Sequence, residues 1–186
     1  MTINFTARYI DNAKVLKSIQ NGRYEDADLS IVELNNHDTR DLNALKRTTG
    51  LWDKKGAKYA RAMYYEASSD IPLPSVDKEH YFAVTEQKDD FTHLEPEKVL
   101  GLMIFDETNY NSNELAMLEV EPSCAKKNGE NRKYKQVGSA LVNYIKKSYN
   151  DKNIIVFADV NAIDFYKKNG FENMYDNSDC QLYWKA

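Results

Sequence analysis

Cysteine and histidine are scarce in this 186-residue sequence, which limits the kinds of site it can build. Cys124 and Cys180 are its two cysteines, and they do not form a CxxC motif. The three histidines, His37, His80 and His93, are scattered without metal-ligand spacing. The sequence therefore indicates neither a disulfide framework nor a zinc site, and we expect free thiols and no bound metal.

Nucleotide motifs and long apolar runs are also missing. Neither a P-loop nor a GxGxxG occurs, so a nucleoside triphosphate is not expected. No window approaches the roughly 20 apolar residues of a membrane span, and the first residues do not resemble a signal peptide. We therefore expect a cytoplasmic protein with no membrane partner. A net charge of −4 and a pI near 5.5 do not favour nucleic acid as a partner.

The composition that is present suits one globular domain. The hydrophobic fraction is 42% and the charged fraction 29%, and the length suits one core. We predict a single domain over residues 1–186, with residues 1–27 as an N-terminal extension. Residues 3–9 alternate apolar and polar side chains, which predicts a strand, and Val15 to Ile19 could pair back on it. Residues 20–27 show no clear pattern.

Strand and helix patterns follow one another along the rest of the chain. Gly50 is expected to end the first helix, and Gly170 the last one. The strands between residues 80 and 120 indicate an antiparallel meander, and strands 115–120 and 154–158 indicate a βαβ unit with parallel neighbours. The predicted class is α/β (α+β), with a mixed, mostly antiparallel sheet flanked by helices. Strands are predicted at residues 29–34, 80–85, 99–105, 115–120, 154–158 and 181–184 and near Phe171, and helices after Asp38 and at residues 60–67, 137–149 and 161–169.

A basic loop and a helix start rich in small residues lie shortly after strand 115–120. The loop carries Arg132, Lys133 and Lys135, and Gly138 and Ser139 open the helix. The first turn of a helix exposes unpaired N–H groups at the positive end of the dipole, and small residues let a bulky anion approach them. A pyrophosphate would fit there. The alternative is a set of solvated lysines before an ordinary helix.

This stretch resembles the acetyl-CoA-binding motif of the GCN5-related N-acetyltransferases (GNAT). In that motif an Arg or Gln, two residues, a Gly, one residue and a Gly or Ala precede the helix. Here Lys133, Gln136 and Gly138 occupy these positions, and the first two depart from the pattern. If Gln136 adopts a positive φ, it carries a cost that glycine would not.

A second block resembles the later motif of the same family. It runs over residues 161–172 and contains Asn161, Phe165-Tyr166 and Gly170-Phe171. The resemblance spans roughly residues 82–171, and it implies a GNAT-type sheet with an acetyl-CoA-binding core at residues 114–171.

The resemblance also implies roles for single residues. Backbone groups of Leu118 to Val120 would pair with the pantetheine arm, and residues 133–139 would hold the pyrophosphate. Asn161 would approach the pantetheine, and Tyr166 would protonate the departing thiolate. The implied cofactor-binding residues are Leu118, Val120, Lys133, Tyr134, Lys135, Gln136, Val137, Gly138, Ser139, Asn161 and Tyr166.

The chemistry of acetyl transfer makes these roles reasonable. An amine attacking a thioester needs a neutral nucleophile, a donor for the carbonyl oxygen and an acid for the thiolate. Tyr166, with an ordinary pKa of about 10, could be the acid, and a backbone N–H near Val120 the oxyanion donor. Glu119 and Glu121 alternate with Leu118 and Val120 on one predicted strand. Either could act as the base through water, attract the ammonium, or simply face solvent.

We therefore expect an N-acetyltransferase that moves acetyl directly from acetyl-CoA to a primary amine in a ternary complex. A catalytically silent acyl-CoA-binding or partner-binding domain is the alternative, motivated by Lys133 and Gln136. An RNA-directed role for the basic residues 126–135 is a third reading. The acceptor stays open among an aminoglycoside, a polyamine, an amino acid, a peptide and a protein lysine, and the acidic balance favours a cation. A homodimer is also open.

Overall fold

A computed structural model describes residues 6–69, 71, 73–125, 131–176 and 178–186. Within them no helix is long and apolar enough to cross a membrane. The helices are α1 (Thr39–Lys54), α2 (Ala60–Ala67), α3 (Val137–Ser148) and α4 (Ile163–Lys168). The strands are β1 (Arg8–Ser18), β2 (Tyr24–Leu34), β3 (Val76–Thr85), β4 (Val99–Thr108), β5 (Ser112–Val120), β6 (Tyr134–Lys135), β7 (Asn153–Phe157), β8 (Glu172–Tyr175) and β9 (Ser178–Trp184).

The described strands form one sheet in the order β6-β1-β2-β3-β4-β5-β7-β9-β8. All neighbouring pairs are antiparallel except β5 with β7. This confirms the predicted mixed, mostly antiparallel sheet flanked by helices. The β2-β3-β4-β5 part contains the predicted meander. Its strands β3, β4 and β5 are longer than the sequence indicated, and the turn between β4 and β5 is shorter, whereas the connection between β3 and β4 has the predicted length.

Residues 8–34 form a hairpin near one edge of this sheet, which we call the edge hairpin. β1 pairs with β2 around a short 3₁₀ turn in which Asn21 and Gly22 have φ of 66° and 71°. The prediction that Val15 to Ile19 pairs back on an earlier strand is wrong, because Val15 belongs to β1 and is buried. Residues 1–5, which include the start of the predicted first strand, lie outside the described residues.

The α1 and α2 helices cover one face of the sheet. Asp38 caps α1 as predicted, accepting a hydrogen bond from the backbone N–H of Arg40 at 2.8 Å. Gly50 does not end α1, which continues to Lys54. Trp52 is 1% exposed, so its burial holds the last turn of the helix against the core and outweighs the weak helix propensity of Gly50.

Helix α3 covers the opposite face, so the protein has one core on each side of the sheet. Strand β4 shows the division, because it is buried along nearly its whole length. Leu102 and Ile104 pack in the core under α1 and α2, and Met103 and Phe105 pack in the core under α3. Alternate residues of β4 therefore mark the two faces.

The predicted βαβ unit is confirmed, since β5 and β7 are parallel neighbours joined by α3. Their pairing covers only three positions, from Ser112 with Asn153 to Glu114 with Ile155. Beyond them β5 continues to pair with β4 as far as Val120, and β7 pairs with β9. An opening remains between the two strands along residues 115–120, and we call it the β5–β7 gap.

Helix α4 follows β7 and is shorter than predicted. A 3₁₀ turn at Val160–Ala162 precedes it. Residues 161 and 162 of the predicted helix 161–169 therefore belong to this turn and not to α4. Gly170 ends the helix as predicted, with a φ of 77°. In this conformation a glycine avoids the strain that a side chain would cause.

Candidate active site

The edge of β5 at the β5–β7 gap carries backbone groups that none of the described strands pairs. The N–H of Glu121 donates to the carbonyl oxygen of Leu100 on β4 at 2.9 Å. Because successive residues of a strand direct their backbone groups to opposite edges, those of Leu118 and Val120 face the gap. An extended ligand can bind these groups in the manner of an added strand. The geometry is thus suited to the predicted roles of Leu118 and Val120.

The N-terminus of α3 is suited to bind an anion. Its N-cap residue, Gln136, adopts a left-handed conformation with φ 71° and ψ 10°, and its side chain makes no cap hydrogen bond. This is the positive φ that the sequence raised for Gln136. The N–H of Ala140 bonds back to Gln136, so those of Val137, Gly138 and Ser139 precede the first intrahelical bond. Ser139 is also partly exposed.

Gly138 brings the two sequence motifs together. A Cβ atom at this position would lie 3.1 Å from Cζ of Phe165 and 3.3 Å from Cδ2 of Leu118. The start of α3 therefore packs directly on β5 and on α4. The ring of Phe165 in turn contacts that of Tyr166, with centroids 5.0 Å apart. The candidate phosphate site, the strand edge and the candidate acid are thus parts of one packed unit.

The basic loop before α3 is already engaged by neighbours. Lys133 Nζ forms an ion pair with Glu86 at 2.6 Å, and the hydroxyl of Tyr134 donates to the same carboxylate at 2.9 Å. Tyr134 is 3% exposed and packs in the core, so only its backbone can contribute to an anion site. Lys135 Nζ lies 3.7 Å from the ring centroid of Tyr24. Residues 126–130 of the basic segment lie outside the described residues.

Tyr166 lies in an apolar setting beside the gap. It is 5% exposed, and its ring packs between those of Phe165 and Phe171. Burial, followed by the negative charge of Glu119, raises the pKa of Tyr166 above its ordinary value. The phenol is therefore protonated at neutral pH, which is the state that a proton donor requires.

Glu119 and Glu121 differ in their surroundings, although the sequence placed them on one strand face. Glu119 lies on β5, and its Oε2 accepts a hydrogen bond from the backbone N–H of Tyr59 at 3.4 Å. Strand β5 ends at Val120, so Glu121 lies one residue past the strand, although its N–H still pairs with β4 and both carboxylates contact residues between α1 and α2. Glu119 is the carboxylate whose charge acts on Tyr166.

Glu121 holds a turn together. It is 6% exposed, caps the 3₁₀ turn at Pro122–Cys124 through Ser123, and pairs with Lys55 Nζ at 2.6 Å. Burial raises the pKa of Glu121, but the hydrogen bonds from Lys55 and Ser123 outweigh it and leave the pKa below its ordinary value. These partners compete with any role for Glu121 as a base.

One segment crosses from one side of the gap to the other, and nothing in the sequence indicated that it belongs to the site. It is the connector between α1 and α2, residues 55–59, which contacts Glu119 and Glu121 as described. Its Lys58 Nζ pairs with Asp159 Oδ2 at 2.8 Å, and the Tyr59 hydroxyl donates to the same oxygen at 2.7 Å. No local signal could reveal these contacts, because the partners are about 100 residues apart.

Asp159 also orients Asn161, the residue expected near the pantetheine. The backbone N–H and the side-chain amide of Asn161 both donate to Asp159 Oδ1 at 3.1 Å. Hydrogen bonds from Lys58, Tyr59 and Asn161 lower the pKa of Asp159 below its ordinary value. Asn161 is exposed at the loop that follows β7, and its carbonyl oxygen remains available to a ligand.

A sizeable cavity lies elsewhere in the sheet. It has a volume of about 920 Å³ and is formed where β2 ends and β3 begins, with Glu33, Leu34, Val76 and Glu79 among its walls. None of the predicted catalytic or cofactor-binding residues lines it. No group of three metal-ligating side chains was found in the described ranges. The candidate site is therefore the open β5–β7 gap, and not a closed pocket.

Comparison with known proteins supports the fold. A scan against protein-family models and a search of curated proteins found no match. Among solved structures, GCN5 from Tetrahymena is 18% identical, with a TM-score of 0.50 over 84% of this chain and 94% of that chain. AtaTR bound with acetyl-CoA is 16% identical, with a TM-score of 0.50 over 84% and 92%. At these identities the similarity shows the fold alone.

Proposed function

We propose that this chain, which has the fold of the GCN5-related N-acetyltransferases, transfers an acetyl group from acetyl-CoA to a primary amine. One observation supports this more than any other. The β5–β7 gap places an unpaired strand edge next to an uncapped helix N-terminus and beside a buried, protonated Tyr166 with Glu119 nearby. These are the elements that binding a thioester cosubstrate and cleaving it require.

Acetyl-CoA fits the gap through groups on three elements. The backbone of Leu118 and Val120 would hold the pantetheine arm, and the first N–H groups of α3, together with the Ser139 hydroxyl, would hold the pyrophosphate. Lys135 adds positive charge at this end, and Lys133 can do so once it leaves Glu86. The structure of AtaTR contains acetyl-CoA, which supports the same cosubstrate here.

The residues at the gap can carry the transfer without a covalent enzyme intermediate. Glu119 takes a proton from the acceptor ammonium, and the neutral amine attacks the thioester carbonyl carbon. The N–H of Val120 binds the oxygen as negative charge develops on it. When the C–S bond breaks, Tyr166 donates its proton to the departing thiolate. The former amine nitrogen then loses its second proton to the Tyr166 phenolate through water, and Glu119 releases its proton to solvent, giving the amide and CoA.

The raised pKa of Tyr166 is compatible with proton donation to the thiolate. A thiol has an ordinary pKa of about 8.5, so a phenol would protonate its anion only reluctantly in water. The same apolar surroundings that keep Tyr166 protonated also destabilise a thiolate released beside it. Both pKa values rise together, and proton transfer stays feasible.

The test begins with calorimetric titration of acetyl-CoA into the wild type, Ser139→Glu and Asn143→Glu. A carboxylate in the first turn of α3 favours the helix but repels a pyrophosphate, so Ser139→Glu should stay folded and bind at least about tenfold more weakly. Asn143 is exposed further along α3 and provides the matched control. Absence of binding by the wild type would refute the proposed function.

The second measurement is CoA release in the presence of amines. Amine-dependent release that Ser139→Glu slows and Asn143→Glu leaves unchanged would establish the transfer. Tight acetyl-CoA binding without release for any amine would instead indicate the silent acyl-CoA-binding domain that the departures at Lys133 and Gln136 suggested.

A further inference from the structure

Four carboxylates meet on the face of the sheet under α2. In the strand register Glu79 of β3 lies opposite Asp106 of β4, and Asp106 lies opposite Glu114 of β5. Glu66 of α2 acts electrostatically on Asp106 from the helix side. We call these four residues the carboxylate cluster. Like charges directly opposite one another destabilise a sheet, so the cluster breaks a local rule of strand pairing.

Asp106 lies at the centre of the cluster. It is 5% exposed, and its Oδ1 atom has no hydrogen-bond partner among the described residues. Its neighbours do not compensate, since no Lys, Arg or His in the described part of the chain forms an ion pair with any of the four. Buried polar atoms are normally satisfied, so an orphaned carboxylate oxygen in an acidic cluster is suited to bind a cationic ligand.

The geometry favours an organic cation over a metal ion. The described ranges hold no group of three carboxylate, His or Cys side chains placed to bind a metal. An ammonium group carries three donors and tolerates looser spacing, and it forms strong hydrogen bonds with carboxylates. The residues around Asp106 are also reachable, because Glu66 and Glu114 are partly exposed and Glu79 lines the 920 Å³ cavity.

The carboxylate cluster lies on the same face of β5 as Glu119. The residues of β5 on this face pair with the alternate residues of β4 that face α2, and Ala116 is the extra residue of a bulge. Four residues of β4 separate the two ends, a distance of roughly 13 Å. Helix α2 runs alongside, with Tyr59 at Glu119 and Glu66 at Asp106. The three pairs are Leu102 with Glu119, Ile104 with Met117, and Asp106 with Glu114.

We infer that the acceptor is a linear polyamine, whose reacting amine lies at Glu119 while a second ammonium group binds the carboxylate cluster. This rests on the proposed function and names its substrate class. Between the two charged ends the face presents Met117, which is partly buried and can pack against the methylene chain. A triamine has the length for this spacing, whereas a monoamine leaves the cluster empty.

The kinetic test compares butylamine and spermidine as acceptors for the wild type, Glu114→Gln and a control, Glu25→Gln. Glu25 is exposed on β2 in the edge hairpin. Loss of one charge-assisted contact should raise the KM for spermidine about tenfold in Glu114→Gln, with kcat within about twofold. The KM for butylamine, and both amines with Glu25→Gln, should stay unchanged. The substitution removes a repulsive charge, so it should not unfold the protein.

Equal kcat/KM for butylamine and spermidine in the wild type, or equal losses in Glu114→Gln, would overturn the inference while leaving acetyl transfer intact. A terminally blocked Lys-Lys peptide presents the same two ammonium groups from a protein source. If it is acetylated more efficiently than spermidine, the acceptor is a peptide and the polyamine assignment is wrong.

A binding measurement keeps this inference separate from the proposed function. Spermidine is titrated calorimetrically into the protein in the presence of saturating CoA, and into the protein alone. We expect binding that is about tenfold weaker in Glu114→Gln and unchanged in Glu25→Gln. That result without CoA release from any amine would refute the transferase and retain the polyamine site. No spermidine binding by the wild type would refute the polyamine site itself.

Discussion

Replacing Asp106 with asparagine should stabilise the protein by an amount that depends on pH. Burial, followed by repulsion from Glu79, Glu114 and Glu66, raises the pKa of Asp106 from 3.8 to about 7, with His80 acting weakly in the opposite direction. Between these values the folded protein holds a proton that the unfolded chain has released. The free energy of unfolding of the wild type therefore falls as pH rises through this interval.

The difference between the two pKa values of Asp106 sets an upper limit on the stability that Asp106→Asn can gain. At about 1.4 kcal/mol per pKa unit it corresponds to about 4 kcal/mol above pH 7. Relaxation of the partly exposed neighbours reduces the cost of the charge, and we expect roughly 1–2 kcal/mol for Asp106→Asn at pH 8. At pH 4.5 the side chain of Asp106 is already mostly neutral, so the two proteins should differ little.

Urea unfolding followed by circular dichroism at pH 4.5 and pH 8 measures both values, with Glu25→Gln as the control for an exposed carboxylate. A gain of the same size at both pH values, or a loss at pH 8, would show that Asp106 is not held in an unfavourable charged state. The same variant should bind spermidine more weakly. A more stable protein that binds its ligand less well is the behaviour expected of a binding residue.

Two other substitutions test the candidate site. Tyr166→Phe should lower kcat by about 100-fold and leave acetyl-CoA affinity unchanged. Because the pKa of Tyr166 is raised, wild-type turnover should not fall between pH 8 and 10 through ionisation of this group. A kcat of Tyr166→Phe equal to that of the wild type would remove Tyr166 from the mechanism. Gln136→Gly should stabilise the fold by up to about 1 kcal/mol and tighten acetyl-CoA binding, since φ is 71° there. The control is Asn21→Gly, which changes another residue with a positive φ, 66°, and should leave acetyl-CoA affinity unaltered. If Asn21→Gly tightened acetyl-CoA binding as much as Gln136→Gly, a local role for Gln136 would be contradicted.

Much of the fold could be predicted because its signals are local. Alternation along the meander, the apolar strand at Ile154–Val156 and Gly170 after α4 each depend on a few neighbouring residues. Gly50 misled the prediction, since the burial of Trp52 two residues later comes from tertiary packing. The long strand β1 was divided for a similar reason, because its pairing with β2 is decided by the hairpin and not by periodicity alone.

In the candidate site, too, the local features could be predicted and the features that depend on distant residues could not. The left-handed conformation of Gln136 follows from its motif position, so it could be predicted. The packing of Gly138 on Phe165 and Leu118 could not, because it depends on tertiary contacts. The surroundings of Glu121 and Tyr134 could not, because their partners Lys55 and Glu86 are distant in sequence. The carboxylate cluster is harder still to detect, since it exists only once the register of three strands and the position of α2 are known.

The short strand β6 links the outer edge of the sheet to the candidate phosphate site. It pairs with Leu16 and Lys17 of β1, and the N–H of Ser18 donates to the carbonyl oxygen of Lys133 at 3.0 Å. Residues 134 and 135 immediately precede the N-terminus of α3. Any ligand that immobilises this turn will also slow the opening of the first hairpin, so amide hydrogen exchange at Leu16 to Ser18 would report occupancy of a site to which those residues contribute no side chain.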